Sequence, residues 1–318
     1  MDGDAADPLD AEPLRVLVGP TASGKSALAL ALAERAGAEI VSLDSMQVYR
    51  GMDVGTAKPD PAERGRVPHH LLDLVSPAER YDVVRFLADA RGALADVHAR
   101  ASRALFVGGT GFYLAALLRG LFAGPPVDRA LRARLEERAE RDGNLALHAE
   151  LEARDPASAR RIHANDKKRL VRALEVLEQT GRPLSEWQSQ WRAAPRPRES
   201  RARLVGLDLE RGEHDLRIRA RTRRMLDAGW REEALAVRAG PGFGPTARQA
   251  LGYRTVLAWA DGELGRDEAQ ERIAIETRRF ARRQRTWYRR FDVRWRPAPG
   301  NEAGEELLAG CLADLGWG

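Results

Sequence analysis

The sequence predicts an α/β fold, a parallel-sheet core into which an all-helical domain is inserted. Three observations predict it. Short apolar runs alternate with helical stretches over the first 110 or so residues, the pattern of a parallel sheet. A charged stretch without strand character, residues 128–192, interrupts that pattern. Strand character returns at residues 204–209, where the sheet resumes. The expected division is a disordered tail over 1–12, a core over 13–125 and 201–318, and a helical insertion over 126–200.

The first strand is expected at residues 14–18. It runs into Gly19-Pro20-Thr21-Ala22-Ser23-Gly24-Lys25-Ser26, which has the phosphate-loop form G-x-x-x-x-G-K-S. An Ala/Leu-rich helix over 27–36 follows. Loop N–H groups and an open helix N-terminus cradle anionic oxygens. Lys25 adds a point charge, and the Ser26 hydroxyl can hold Mg²⁺. A bound diphosphate or triphosphate is expected, with the reaction left open.

Residues 39–43 form the second expected strand, ending at Asp44-Ser45-Met46-Gln47. Open α/β sheets bind ligands at the carboxyl ends of their strands, which puts Asp44 where the phosphate loop opens. The alternative is that Asp44 caps a short helix. Residues 49–61 read as a glycine- and proline-punctuated loop, in which Lys58 is either a second phosphate contact or a solvated charge. His69 and His70 precede a third expected strand at 71–75. Adjacent histidines face opposite sides of a strand, so packing or capping suits them better than a metal. A helix over 83–103 leads to a strand at 104–107 and then to Gly108-Gly109-Thr110-Gly111. A phosphate-loop hydrolase carries an acidic residue at such a strand end to orient Mg²⁺ and water. Here glycines allow close backbone approach and Thr110 offers a hydroxyl, unless the segment is an ordinary strand-to-helix turn.

The insertion is expected to hold helices at 128–141, 145–154, 167–179 and 184–191, and to close at Ala194-Pro195-Arg196-Pro197. Asn165 and Asp166 can cap the third of these helices. It presents Lys168, Arg169 and Arg172 as a basic stripe or a solvated face. After the strand at 204–209, a helix over 216–228 carries Arg217, Arg219, Arg221, Arg223 and Arg224. An inward arginine there would clamp a diphosphate. A loop at 241–245 leads to residues 250–254. The helix at 267–291 is the most basic element, with seven arginines and one acid between Glu276 and Arg290. Ile273, Phe280 and Trp287 recur every seven residues and are expected to be its buried seam. Arg278, Arg282, Arg285 and Arg289 follow one stripe, which with Trp287 and Tyr288 suits a phosphodiester backbone. A strand at 293–295 and a helix at 302–315 complete the chain.

Composition narrows the class. The 318 residues are 43% hydrophobic, enough for a sizeable core. The single cysteine, Cys311, allows neither a disulfide framework within the chain nor a cysteine zinc site, and fits a reducing compartment. No run approaches the roughly 18 apolar residues of a membrane span. The acidic N-terminus lacks the basic and apolar regions of a signal peptide, so a cytoplasmic protein is expected. The net charge of +5 is uneven: residues 1–125 carry 13 Lys+Arg against 16 Asp+Glu, and residues 126–318 carry 39 against 31. A polyanionic partner explains that asymmetry, and so does arginine-rich codon usage, since only four of the 52 basic residues are lysine.

Five blocks in order carry a resemblance: GPTASGKS (19–26), DSMQVYRGMDVGTAKP (44–59), GGTGFY (108–113), NDKKRLVRALEV (165–176) and RRQRTWYRR (282–290). Together they resemble the tRNA dimethylallyltransferase family, also called tRNA isopentenyltransferases or IPP transferases, over about residues 16–295. The resemblance is to the short bacterial form, without the zinc-finger extension of eukaryotic relatives. It implies a P-loop NTPase-like core and transfer of a dimethylallyl group from its diphosphate to N6 of adenosine 37 in tRNAs that read codons beginning with U. By the same resemblance, the phosphate loop with Arg217 holds the donor diphosphate, Ser26 holds Mg²⁺, and Asp44 is the general base, with Thr110 positioning the reacting groups. The tRNA anticodon stem-loop would meet Asp44, Ser45, Met46, Gln47 and Thr110 at the target base. It would meet Arg132 and Lys168, Arg169, Leu170, Val171 and Arg172 in the insertion. It would also meet Arg248, Gly252, Tyr253, Arg254, Arg282, Arg283, Gln284, Trp287 and Arg289 in the last third. Lys168 stands where glutamine is common in the family, and its charge still suits the RNA. A monomer is the expected state.

Two other readings share parts of this evidence. A small-molecule kinase explains residues 19–26 and the sheet, but neither the basic helix nor the 44–59 block. An ATP-driven nucleic-acid motor explains the charge and would need Asp44 or Asp208 as its acidic metal partner.

Overall fold

The computed structural model describes residues 7–122, 124–193, 196–299 and 304–318. It divides into two compact units, residues 1–119 with 197–318, and residues 120–196, so the insertion begins six residues earlier and ends four earlier than expected. The first unit is built on a six-stranded sheet. Its strands are β1 (Arg15–Val18), β2 (Ala38–Leu43), β3 (His69–His70), β4 (Arg103–Gly108), β5 (Arg203–Asp208) and β6 (Arg294–Pro297). Their order is β3-β2-β4-β1-β5-β6, and every pairing is parallel. Val16, Leu17 and Val18 are fully buried, as are Leu105 and Phe106, because helices cover both faces of a parallel sheet.

The helices before the insertion are α1 (Pro8–Ala11), α2 (Lys25–Ala36), α3 (Pro61–Arg66), α4 (Val83–Ala99) and α5 (Gly111–Arg119). Within the insertion they are α6 (Arg129–Asp142), α7 (Asn144–Arg154), α8 (Pro156–Ala159), α9 (Lys167–Thr180) and α10 (Leu184–Ala193). After it come α11 (Pro197–Arg201), α12 (Arg211–Asp227), α13 (Trp230–Ala239), α14 (Tyr253–Ala260), α15 (Arg266–Tyr288) and α16 (Glu305–Leu315). The stops and starts are chemical. Asp82 caps α4 through Val84 and Arg85 N–H, Glu210 caps α12 from residue 211 rather than 216, and Asp60 with Glu63 makes a capping box around Pro61. Leu28 and Leu32 of α2, with Leu308, Cys311 and Leu315 of α16, pack on Leu17, Leu105 and Val205 as one core cluster.

Several expectations are corrected. The tail is not disordered from Asp7 onward: α1 buries Leu9 completely, and Asp7 pairs with Arg91 and Arg198. Those partners lie far along the chain, where local sequence gives no hint of them. The edge strand is His69–His70, not the run at 71–75. Leu71 and Asp73 take left-handed φ values of 64° and 56°, and Val75 alone pairs, in an isolated bridge with Tyr49. Both histidines have partners within the fold, His70 Nε2 lying 2.6 Å from Glu39 Oε2 and His69 Nδ1 2.7 Å from Val67 O. Lys58 is not a solvated charge. Its buried ammonium donates to Tyr49 O, Asp53 and Asp73, tying the 49–59 loop to the 71–75 turn. Residues 1–6 of the expected tail, Ala194 and Pro195 of the expected linker, and residues 302–303 of the expected last helix lie outside the described residues.

The second unit packs Leu131 and Leu135 of α6, Leu147 and Leu151 of α7, and Leu170 and Leu174 of α9 into one core. Each pair recurs at i, i+4, the spacing of one helix face. Glu175 is a fully buried carboxylate inside this unit. It accepts Asp128 N–H at 3.0 Å and pairs with Arg132 and Arg172. Replacing Glu175 with Ala strands two guanidinium groups and should cost about 3 kcal/mol. Hydrogen exchange should show the loss as faster exchange of the α6 and α9 amides.

Candidate active site

Three adjacent strand ends, those of β2, β4 and β1, build the site at the carboxyl edge of the sheet. β1 ends in the phosphate loop. Gly24 has φ 86°, a left-handed turn that carries the chain into α2, and α2 has no side-chain cap. Its first amides are therefore open to an anion. β2 ends at Asp44, whose Oδ1 accepts Met46 N–H at 2.8 Å. β4 ends at Gly108, and Thr110 docks on the β2 end. Thr110 N–H donates to Leu43 O at 3.2 Å, and Thr110 Oγ1 accepts Ser45 N–H at 3.2 Å. Gln47 turns inward, its Oε1 accepting from Ser42 Oγ at 2.9 Å and its Nε2 donating to Ala57 O at 3.2 Å.

Helix α15 joins these ends. Gln284 accepts Thr21 N–H at 2.8 Å through Oε1 and donates from Nε2 to Gly109 O at 2.9 Å. One turn on, the Tyr288 hydroxyl donates to Gly19 O at 3.2 Å. From α12, His214 Nε2 lies 2.8 Å from Thr21 O, so it carries the proton, since a carbonyl only accepts.

The walls enclose a cavity of about 360 Å³. Thr21, Lys25, Ser26 and Arg221 line it with Asp44, Ser45 and Thr110, and Ile218, Met225, Trp230 and Phe280 supply apolar wall. Withdrawal from solvent, and next the Arg221 cation, lower the Lys25 pKa to about 8, against the pull of the Asp44 carboxylate. Withdrawal from solvent also lowers the Arg221 pKa, and Asp44 again opposes. The cavity thus holds two cations that lack a full complement of anions, with one carboxylate within their field. That arrangement suits a polyanion bound beside a proton acceptor.

The family model described as "IPP transferase" matches residues 47–291, and one described as "Isopentenyl transferase" matches residues 12–72. The chain belongs to the IPP transferase family. It is 50% identical over 289 residues to a "tRNA dimethylallyltransferase" of Anaeromyxobacter sp. (strain Fw109-5), covering 90% of this chain and 95% of that one. It is 46% identical over 298 residues to "tRNA dimethylallyltransferase 2" of Syntrophus aciditrophicus, covering 93% and 94%. Among solved structures, the full-length tRNA isopentenylpyrophosphate transferase of Bacillus halodurans superposes with a TM-score of 0.68 at 34% identity, covering 96% and 98%. A eukaryotic dimethylallyltransferase acting on tRNA superposes with a TM-score of 0.73 at 27% identity, covering 91% and 74%. These neighbours share the P-loop NTPase-like fold.

In this family member, the structure gathers some expected residues and separates others. The cavity takes Thr21, Lys25, Ser26, Asp44, Ser45, Met46, Gln47, Thr110, Arg283 and Gln284. Arg217 is not among its lining residues, but it reaches the phosphate loop, donating to Ser23 O at 3.5 Å as well as to Pro299 O at 2.6 Å, and it pairs with Glu213. Arg221, one turn later, lines the cavity. Helical spacing carries the signal: Arg221 is seven residues after His214 and three after Ile218, both buried. In the insertion, Arg132 and Arg172 are held by Glu175, and Leu170 and Val171 are core. Arg169 is exposed beside Asp166, and Lys168 lies on a shallow surface hollow with His163. Gly252 and Tyr253 are buried, whereas Arg248 and Arg254 are exposed.

The α15 seam is also corrected. Ile273, Thr277, Ala281, Gln284 and Tyr288 are buried in series, with Ala269 and Ala274 also buried, and Phe280 and Trp287 are half-buried. The intervals of three and four follow the 3.6-residue turn more closely than a seven-residue count. Of the expected basic stripe, Arg278 pairs with Asp215 and Glu271, and Arg285 donates to Leu209 O at 3.0 Å. Arg282 and Arg289 remain exposed, joined by Arg279, Arg283 and Arg290.

An anion bound at Lys25 should bind in a pH-dependent way. The free protein loses the Lys25 proton as pH rises through about 8, so the affinity for an organic diphosphate should fall above that pH. Binding there should take up a proton, read by calorimetry in two buffers of different ionisation enthalpy. Lys25→Met should bind weakly with this pH dependence gone.

Proposed function

We propose that the protein transfers a dimethylallyl group from dimethylallyl diphosphate to N6 of adenosine 37 in tRNAs that read codons beginning with U, releasing diphosphate. The observation that carries this reading is the Asp44 carboxylate in one cavity with Lys25 and Arg221, in a chain whose relatives bear that activity in their names. The phosphate-loop amides, Lys25 and Arg221 would bind the donor diphosphate, and apolar wall is available for a five-carbon chain. Adenine N6 attacks the allylic carbon as the carbon–oxygen bond to diphosphate breaks, the bonding pair leaving with the diphosphate oxygen. The N6 proton passes to the Asp44 carboxylate. The charge that develops on the leaving group falls where the cations already stand.

Ser26 Oγ and the oxygens of a bound diphosphate are the hard donors that Mg²⁺ takes. No cluster of three His, Cys, Asp or Glu among the described residues could hold a metal alone. Mg²⁺ would therefore be held by Ser26 together with the diphosphate, where it supplies charge neutralisation. No acidic residue follows β4, as expected of a reaction with no water to orient. To enter the cavity the target adenine must leave its stack. The second unit, with Lys168 and Arg169, is proposed to hold the anticodon stem-loop. The proposed setting is the cytoplasm and the proposed state a monomer; among the described residues no helix is long and apolar enough to cross a membrane.

The test is a transfer assay without ATP, using labelled dimethylallyl diphosphate, Mg²⁺ and unmodified tRNA with adenosine at positions 36 and 37. Label in tRNA supports the reading, and label in no tRNA sinks it. Asp44→Asn should lower kcat by about 100- to 10,000-fold while donor affinity stays close to wild type. A matching loss of donor binding would remove the base assignment.

The α15 arginines should separate by partner. Arg282→Ala or Arg289→Ala should reduce the slope of log K for tRNA against log salt by about one each. Arg278→Ala should leave that slope unchanged and lower thermal stability, because its charge is used within the protein.

A further inference from the structure

Gly55, Thr56 and Ala57 form part of the cavity wall, and one carboxylate holds their loop from behind. Glu233, in α13, accepts three consecutive backbone N–H groups. Its Oε2 takes Asp53 at 2.6 Å and Val54 at 2.7 Å, and its Oε1 takes Gly55 at 2.9 Å. Oε1 also accepts the Tyr253 hydroxyl at 2.6 Å. Three successive amides make an anion-binding concavity. Here the chain fills it with its own side chain, and both oxygens are saturated by charge-assisted bonds.

The surroundings leave the loop no freedom on that side. Trp230 is buried edge-on against Tyr253, with ring centroids 5.6 Å apart. A Cβ added to Gly55 would lie 2.1 Å from Trp230 Nε1 and 2.5 Å from Tyr253 Cζ. At its other end the loop reaches the reacting groups, because Ala57 O accepts Gln47 Nε2, three residues after Asp44. Tyr253 also follows Gln249, Ala250 and Leu251, which line the same cavity.

We propose that Glu233 is a positioning residue for the transfer. It sets the wall at 55–57 and, through Gln47, the turn that carries Asp44. The proposal rests on the reading of the cavity as the site of adenine prenylation. None of its four bonds involves Lys25, Ser26 or Arg221. Its loss should therefore misplace the acceptor and spare the donor.

The experiment compares wild type with Glu233→Ala, Glu233→Asp and Gly55→Ala. It measures kcat and the KM for tRNA, the Kd for dimethylallyl diphosphate, and Tm. Glu233→Ala should lose up to about 100-fold in kcat/KM for tRNA, the scale of an ångström-sized misplacement, with donor Kd unchanged. Glu233→Asp should recover part of that loss. Gly55→Ala keeps the carboxylate but forces the loop and Trp230 apart, and should also lower kcat/KM for tRNA. Glu233→Asp decides the matter if Glu233→Ala does not fold: a loss in tRNA kinetics with donor Kd unchanged supports the role, and unchanged tRNA kinetics overturn it. Unchanged tRNA kinetics in the variants of an active enzyme would overturn the role of Glu233 alone. Donor Kd and tRNA kinetics failing together, in step with Tm, would reduce it to a stability effect and overturn the proposal. A wild type that transfers no dimethylallyl group overturns the proposed function itself, and this assignment with it.

Discussion

Gln284 is one uncharged side chain with both ends used. It accepts from the phosphate loop at Thr21 and donates to the loop after β4 at Gly109, and it is buried in doing so. A buried amide left with an unmade bond costs about 1–3 kcal/mol per group, so the two loops are held at one separation by the length of one glutamine. Thr110 in turn is bonded to the β2 end beside Asp44. The distance between the phosphate loop and the carboxylate therefore depends on a residue 263 positions downstream of Thr21. The cavity is a consequence of that bridge as much as of the sheet.

Charge in the site is arranged for a guest. Lys25 and Arg221 share the cavity with Asp44, and withdrawal from solvent disfavours both cations in the free protein. A diphosphate would relieve that penalty by supplying the missing negative charge. Elsewhere many of the chain's cations pair within the protein. Arg132 and Arg172 close on Glu175, Arg278 on Asp215, and Lys58 on Asp53 and Asp73. An arginine-rich sequence thus yields a smaller free basic surface than its composition suggests.

Much of the architecture was legible because its signals are local. Strand, glycine loop and helix at 14–36 read directly, as did the strand ends at Asp44 and Gly108 and the amphipathic helices of the insertion. Parallel strands buried on both faces give short apolar runs, and helices give their 3.6-residue period. The errors cluster where a distant partner overrides local preference. Asp7 and Leu9 are ordered by Arg91, Arg198 and a buried pocket, and Asp73 leaves the expected strand to meet Lys58 and Arg64. The α15 seam departs from expectation for a different reason, since a strict count of seven drifts around a straight helix.

By itself the sequence determined the phosphate loop, the fold class, the five blocks that identify the family, and the carboxylate at the end of the second strand. Each rests on residue types at fixed short spacings, which a linear chain displays openly. Only the tertiary structure decided that Arg221 rather than Arg217 lines the cavity, and that Arg278 and Arg285 are structural where Arg282 and Arg289 stay exposed. It also decided that Glu233 holds the 53–55 loop. Those outcomes turn on which side chain of a helix meets which loop. That choice is made by packing between elements far apart in sequence, and no local pattern of residues encodes it.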